Sequence, residues 1–155
     1  MAENELLVKL LISRKMKITT AESCTGGMVA AAITDIEGSS EVFKRGFVTY
    51  SNEAKEEMLG VEHEIIEKYT EISFECAESM ARNAAVRANA DVAIATTGIA
   101  GPGGGTKEHP IGCVYIGFFV NGKVFSEKKL FTGDRSEVRR QAVECAIHRV
   151  LEIIQ

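Results

Sequence analysis

The sequence predicts an α/β fold: a three-layer α/β/α sandwich around a mixed, mostly parallel sheet that ends in an antiparallel hairpin. Three observations predict it. Helix-compatible stretches alternate with short β-rich stretches along the 155 residues, which is the pattern of helices packed on both faces of a sheet. The run Asp91-Val92-Ala93-Ile94-Ala95-Thr96-Thr97 stays apolar without alternating, as a strand buried on both faces does. Asn121-Gly122 joins two further β-rich runs, and this dipeptide is the strongest short hairpin signal a sequence carries.

In chain order, Leu6, Leu7, Leu10 and Leu11 fall at helical spacing within 3–15, with charges on the other side, so this is an amphipathic packing helix. A short strand over 17–20 leads into a turn, and the small residues of 25–34 form a closely packing helix. Residues 43–50, rich in Phe, Val and Thr, read as a strand. Asn52 stands at an N-cap position, with Glu53, Ala54 and Lys55 as the first helical turn, and Gly60 ends that helix. Another short helix follows over 62–69. A longer one over 73–89 aligns Ala77, Met80, Ala81, Ala84, Ala85 and Ala88 along one side. Strands over 91–97, 111–120 and 123–131 come next. The last helix opens on Asp134 and Glu137 at capping-box spacing and buries Val138, Ala142, Val143, Ala146, Val150, Leu151 and Ile154. No linker, repeat or low-complexity tract interrupts the chain, so residues 1–155 form one domain.

Composition narrows the function. Hydrophobic residues at 45% and charged residues at 26% are ordinary for a soluble domain, and the length buries roughly 70% of the unfolded surface. A net charge of -4 argues against a nucleic-acid partner. Cys24, Cys76, Cys113 and Cys145 show neither a C-x-x-C pair nor zinc spacing, so they read as reduced thiols of a cytoplasmic protein. The N-terminal leucines are interrupted by charges, unlike a signal peptide. The apolar run 113–120 is too short to span a bilayer, so no membrane partner is expected.

The chemistry concentrates in three stretches. The first is Thr19-Thr20-Ala21-Glu22-Ser23-Cys24-Thr25-Gly26-Gly27, a strand end, a polar turn and two glycines. Backbone donors at Cys24, Thr25 and Gly26, free at a helix start, could stabilise an oxyanion next to a Ser23 nucleophile. The plain alternative, which this motif alone favours, is that Ser23 or Thr25 is only an N-cap. Cys24 is a rival nucleophile, with a thiol pKa that a helix start would lower; the plainer alternative is a small packing residue. The second stretch is Tyr50-Ser51-Asn52-Glu53-Ala54-Lys55. There a lysine in the first helical turn, partly buried, would have a lowered pKa and act as a base. A solvated surface lysine is the alternative. The third is the glycine loop Thr97-Gly98-Ile99-Ala100-Gly101-Pro102-Gly103-Gly104-Gly105-Thr106. It suits an anion cradled by N–H groups, but it is neither a Walker A motif nor a dinucleotide fingerprint. Arg135, Arg139 and Arg140 of the last helix are candidates to reach that anion.

Together these stretches, with Gly46-Phe47-Val48-Thr49 and Gly133-Asp134-Arg135, resemble the C-terminal domain of the CinA (competence/damage-inducible) family, which includes nicotinamide-nucleotide amidohydrolases. The resemblance covers nearly the whole chain and looks like the stand-alone form. It implies hydrolysis of the carboxamide of nicotinamide mononucleotide, without metal or other cofactor, to nicotinic acid mononucleotide and ammonia. It implies Ser23 as nucleophile, Lys55 as general base and Tyr50 as an aid to proton transfer. Substrate contacts implied with it are Cys24, Thr25, Gly26, Gly27, Asn52, Thr97, Gly98, Gly101, Thr106, Arg139 and Arg140. The small-molecule nucleotide is the expected partner, and family habit points to a homodimer. His109-Pro110-Ile111-Gly112 departs from the family's frequent Lys-Pro-Val-Gly, which puts the loop's ligand contacts in question. A rival from another class is a catalytically silent nucleotide-binding or scaffolding domain, and a third reading is a Cys24-dependent hydrolase.

Overall fold

The structure, a computed structural model, describes residues 1–155. Helix α1 (Glu3–Arg14) leads to strand β1 (Ile18–Glu22), then α2 (Met28–Thr34), a 3-10 turn (Ser39–Glu41) and the short strand β2 (Phe47–Val48). Helices α3 (Asn52–Leu59), α4 (His63–Tyr69) and α5 (Phe74–Ala88) follow. Strands β3 (Val92–Gly98), β4 (Cys113–Val120) and β5 (Lys123–Leu130) then precede α6 (Arg135–Ile154). The sheet order is β2-β1-β3-β4-β5. β1 pairs in parallel with both β2 and β3, whereas β3–β4 and β4–β5 are antiparallel. Four strands therefore run one way and β4 opposes them, which is the mixed sheet and hairpin that the sequence predicts.

Alternating side chains send the sheet's two faces into different cores. Ile18, Ile94, Ile116 and Phe118 pack with α1, α2 and α6 through Leu7, Leu11, Val29, Ile33, Val138, Ala146 and Val150. Ala21, Ala93 and Ala95 face the other way, against Leu59, Met80, Ala81 and Ala84 of α3 and α5. Small residues on both partners let α5 lie close to the sheet. At Gly117 a Cβ would collide with the Ala77 carbonyl, so β4 needs a residue without a side chain there. The turn Asn121-Gly122 has both residues at positive φ, 48° and 88°, the type I′ geometry that suits strand twist. Asp134 and Glu137 close a complete capping box on α6.

Several boundaries differ from the sequence reading, and four have a visible physical reason. The strand expected over 43–50 shrinks to Phe47–Val48. Only an isolated bridge to Ile18 remains at Phe43. The detour between them gives the Arg45 carbonyl to Thr19 Oγ1 at 2.7 Å. Helix α2 starts at Met28 rather than Thr25, because Gly26 and Gly27 lie at φ 55° and 103°, outside the helical region. Ser51, not Asn52, caps α3, accepting from the Ala54 N–H at 3.0 Å. Strand β4 starts at Cys113, since Gly112 turns at φ 94°. No helix is long and apolar enough to cross a membrane.

Candidate active site

The adjacent parallel strands β1 and β3 end at the same edge of the sheet, and β1 delivers Ser23 while β3 delivers Thr97 and Gly98. In open α/β sheets the crevice beyond strand carboxyl ends is the usual ligand position. A pocket of about 310 Å³ lies there, lined by Ser23, Cys24, Tyr50, Asn52, Lys55, Glu71, Ile72, Arg135 and the loop residues Thr97, Gly98, Ile99, Ala100, Gly101, Gly103 and Gly104. The volume falls at the small end of the range that holds drug-sized ligands. A larger cavity of about 520 Å³ between α1, α2 and α6 has a mostly aliphatic lining and no nucleophile.

Lys55 is the centre of the polar pocket. It sits at the fourth position after the Ser51 cap, and its stem runs inward until the residue is only 1% exposed. Its Nζ donates to Ser23 Oγ at 3.1 Å and to the Thr49 carbonyl at 3.0 Å. No carboxylate pairs with it within ion-pair distance. Burial therefore lowers its pKa, against a smaller opposing pull from Cys76, Glu71 and Cys24. Ser23 is 9% exposed, and its hydroxyl donates, at 3.5 Å, to the Tyr50 carbonyl. A serine hydroxyl within hydrogen-bond reach of a desolvated amine has the geometry a nucleophile–base pair requires.

The turn that carries Ser23 is gripped from below by Glu22, whose carboxylate is fully buried. Oε1 accepts from Thr25 Oγ1 at 2.6 Å and from the Val29 N–H at 2.8 Å, and Oε2 accepts from the Ala30 N–H at 3.1 Å. Glu22 thus takes two donors of the first turn of α2, and of the three donors expected to be free at the serine turn, Gly26 N–H is spent on the Ser23 carbonyl at 3.0 Å. The N–H groups of Cys24 and Thr25 have no partner in the chain. Glu22→Ala would strand the Val29 and Ala30 N–H donors at once, so we expect it to cost about 3 kcal/mol of stability, read as a lower midpoint in urea unfolding.

The other expected residues divide between the pocket and its scaffolding. Asn52 and Gly101 line the pocket with Thr97 and Gly98. Thr97 Oγ1 also donates to the Glu71 carbonyl at 2.7 Å. Tyr50 is 59% exposed, and its hydroxyl accepts from Arg135 at 2.9 Å. Thr25, Gly26 and Gly27 lie outside the lining, with Thr25 Oγ1 buried between Glu22 and Thr96. Thr106 closes the glycine loop by bonding His109, whose N–H donates to its hydroxyl at 2.9 Å. Arg139 donates to the carbonyls of Cys24 and Thr25. Arg140 points elsewhere, to Glu144 and the aliphatic cavity. The arginine that reaches the pocket is Arg135, which also donates to the Gly101 carbonyl at 2.8 Å.

One expectation needs correcting, and one pocket residue was not foreseen. The thiol of Cys24 is not activated, because burial pushes its pKa up to about 11. A helix start cannot lower it, since α2 begins four residues later and its donors go to Glu22. Glu71 is a pocket carboxylate that sequence reasoning missed, and no motif or spacing signals it. No group of three or more His, Cys, Asp or Glu side chains is arranged to hold a metal ion.

The family model of the CinA C-terminal domain matches residues 2–154. A putative competence-damage inducible protein of Clostridium beijerinckii is 52% identical over 150 residues, which is 97% of this chain and 37% of that protein. One from Thermoanaerobacter sp. is 50% identical over 139 residues, 90% of this chain and 34% of its own length. The chain thus spans little more than a third of the curated relatives it matches. Among solved structures, the competence/damage inducible protein CihA from Agrobacterium tumefaciens superposes with a TM-score of 0.92 at 40% identity, covering 100% of this chain and 98% of that one. The CinA superfamily protein from Escherichia coli gives 0.94 at 36% identity, covering 97% and 88%. The chain belongs to the CinA C-terminal domain family.

Proposed function

We propose that this member of the CinA C-terminal domain family is a serine amidohydrolase that converts nicotinamide mononucleotide to nicotinic acid mononucleotide and ammonia. The observation that carries the reading is the buried 3.1 Å contact between Lys55 Nζ and Ser23 Oγ. The substrate comes from the sequence resemblance, and the pocket's polar lining is compatible with it.

The steps balance on this chain's own groups. Neutral Lys55 takes the Ser23 hydroxyl proton as Oγ attacks the carboxamide carbon, and the carbonyl oxygen becomes an oxyanion beside the Cys24 N–H. Lys55 then gives its proton to the departing nitrogen, the C–N bond breaks, and ammonia leaves an ester on Ser23. Water attacks that ester, losing a proton to Lys55, which returns it to Ser23 as the carboxylate is released. Arg135, with the glycine loop, supplies the positive charge and backbone donors that a nucleotide phosphate needs. The Tyr50 hydroxyl is held by Arg135, which favours a part in binding over proton transfer.

The test is ammonia release from nicotinamide mononucleotide by the purified chain, with nucleotide binding followed by calorimetry. We expect equimolar ammonia and nicotinic acid mononucleotide. Tight binding with no ammonia would instead favour a silent nucleotide-binding domain.

A further inference from the structure

The bend between α4 and α5 is tied to the end of β3. Thr70 turns at φ 68°, and its Oγ1 accepts from the Ile72 N–H at 3.2 Å. Ser73 Oγ donates to the Thr70 carbonyl at 2.8 Å, and Thr97 Oγ1 donates to the Glu71 carbonyl at 2.7 Å. These bonds hold Glu71 against the pocket, half-buried, where its carboxylate accepts from Asn52 Nδ2 at 3.5 Å. Burial lowers the Lys55 pKa, and Glu71 is among the charges that oppose that shift, so its field reaches the amine beside Ser23.

The lining then carries a simple charge pattern. Glu71 is its one carboxylate and Arg135 its one guanidinium, while Lys55 serves as the neutral base. Neither Glu71 nor Arg135 forms an ion pair within the chain. They are also held by different neighbours: Glu71 by Asn52 and Thr97, Arg135 by the Tyr50 hydroxyl and the Gly101 carbonyl. Two opposite charges, unpaired and separately anchored in one crevice, fit a ligand that carries both signs. An N-glycosylated pyridine nucleotide is such a ligand, because its ring nitrogen is a fixed cation and its phosphate an anion. With the carboxamide carbon at Ser23 and the phosphate at Arg135, the ring is left to the rest of the lining, where Glu71 is the one group of opposite charge.

We propose that Glu71 is a specificity-determining residue that reads the positive charge of the pyridinium ring, so that the pocket selects the oxidised nucleotide over the same nucleotide with an uncharged, reduced ring. The substrate class rests on the amidohydrolase reading above, whereas the charge pattern does not. Glu71 attracts the ring and moves no proton. Glutamine at this position keeps the shape and an acceptor for Asn52 and removes only the charge.

The test measures binding by calorimetry in the Ser23→Ala background, where nothing is turned over. The probes are nicotinamide mononucleotide and its reduced, dihydro form, each with and without Glu71→Gln. We expect the oxidised form to bind about tenfold more tightly while Glu71 is present, and the two forms to bind within about twofold of each other in Glu71→Gln. In the chain that keeps Ser23, Glu71→Gln should raise KM for nicotinamide mononucleotide about tenfold with kcat within about threefold; if the double variant does not fold, this split decides. Equal affinity for the two ring states in the presence of Glu71, or a preference that persists in Glu71→Gln, would overturn the proposal. So would a changed kcat at unchanged KM, which would make Glu71 a modulator of Lys55 rather than a substrate contact. Should the wild type release no ammonia, the amidohydrolase reading fails separately, and the affinities still decide the role of Glu71. Failure of either nucleotide to bind overturns both.

Discussion

Ser23→Ala is expected to lower deamidation of nicotinamide mononucleotide by about 10⁴-fold or more, while the nucleotide still binds. The size follows from what the hydroxyl does. In the proposed mechanism it forms the covalent bond to the substrate, and no second nucleophile stands ready to replace it. The Cys24 thiol is next in sequence, but burial keeps its pKa near 11, so almost none of it is thiolate at neutral pH. In the proposed mechanism only its N–H takes part, so Cys24→Ala should retain turnover where Ser23→Ala does not. Binding should survive in Ser23→Ala because the rest of the pocket lining is untouched and the turn is held by Glu22 and Arg139 rather than by the Ser23 hydroxyl. Ammonia release and calorimetry on the two variants check both halves.

Lys55→Met is expected to abolish turnover to a similar extent and to raise stability at neutral pH. The amine is buried beside a hydroxyl and a carbonyl with no paired carboxylate, so its charged form is poorly compensated. Its folded pKa is lowered, chiefly by burial. Between that lowered value and the ordinary lysine range the unfolded chain holds the proton and the folded chain does not. Stability of the wild type therefore rises with pH across that window, and below the window the full cost of burying a charge is present. Methionine has a similar reach and no charge, so it removes that cost. In a chain of this size each kcal/mol gained raises Tm by about 2–4 °C. The same protonation governs rate. The wild-type kcat/KM should climb as pH passes the lowered Lys55 pKa, because only the neutral amine can accept the serine proton. Thermal melts at several pH values and a pH–rate profile measure the two effects on one residue. A Tm for Lys55→Met below that of wild type at neutral pH would mean that the amine stabilises the fold.

Much of the fold was legible because its signals are local. The buried run of β3, the Asn121-Gly122 turn and the Asp134–Glu137 box each depend on residues a few positions apart, and each appears in the structure. Boundaries failed where a contact distant in sequence decided them. The expected 43–50 strand is cut short where the Arg45 carbonyl turns to Thr19; the cap of α3, by contrast, moved by one residue for a local reason, Ser51 accepting from the Ala54 N–H. The site divides in the same way. Ser23 and Lys55 stand at recognisable turns, and the structure brings them together across 32 positions. The arginines could not be sorted from sequence. Arg135, Arg139 and Arg140 share one helix, yet they reach the pocket, the back of the serine turn and an exposed glutamate respectively. Helical rotation relative to the sheet decides which is which, and no motif encodes it. Glu22 was visible only as part of the motif. Its three hydrogen bonds show that it holds the turn that presents Ser23.

The measurement that tests the central claim most directly is acid-quenched turnover of the wild type with saturating nicotinamide mononucleotide, followed by peptide mapping by mass spectrometry. The account expects an ester of the nicotinoyl nucleotide on Ser23, formed as ammonia is released and missing from Ser23→Ala. An adduct on Cys24 or any other residue, or a folded wild type that binds the nucleotide and releases no ammonia, would contradict it.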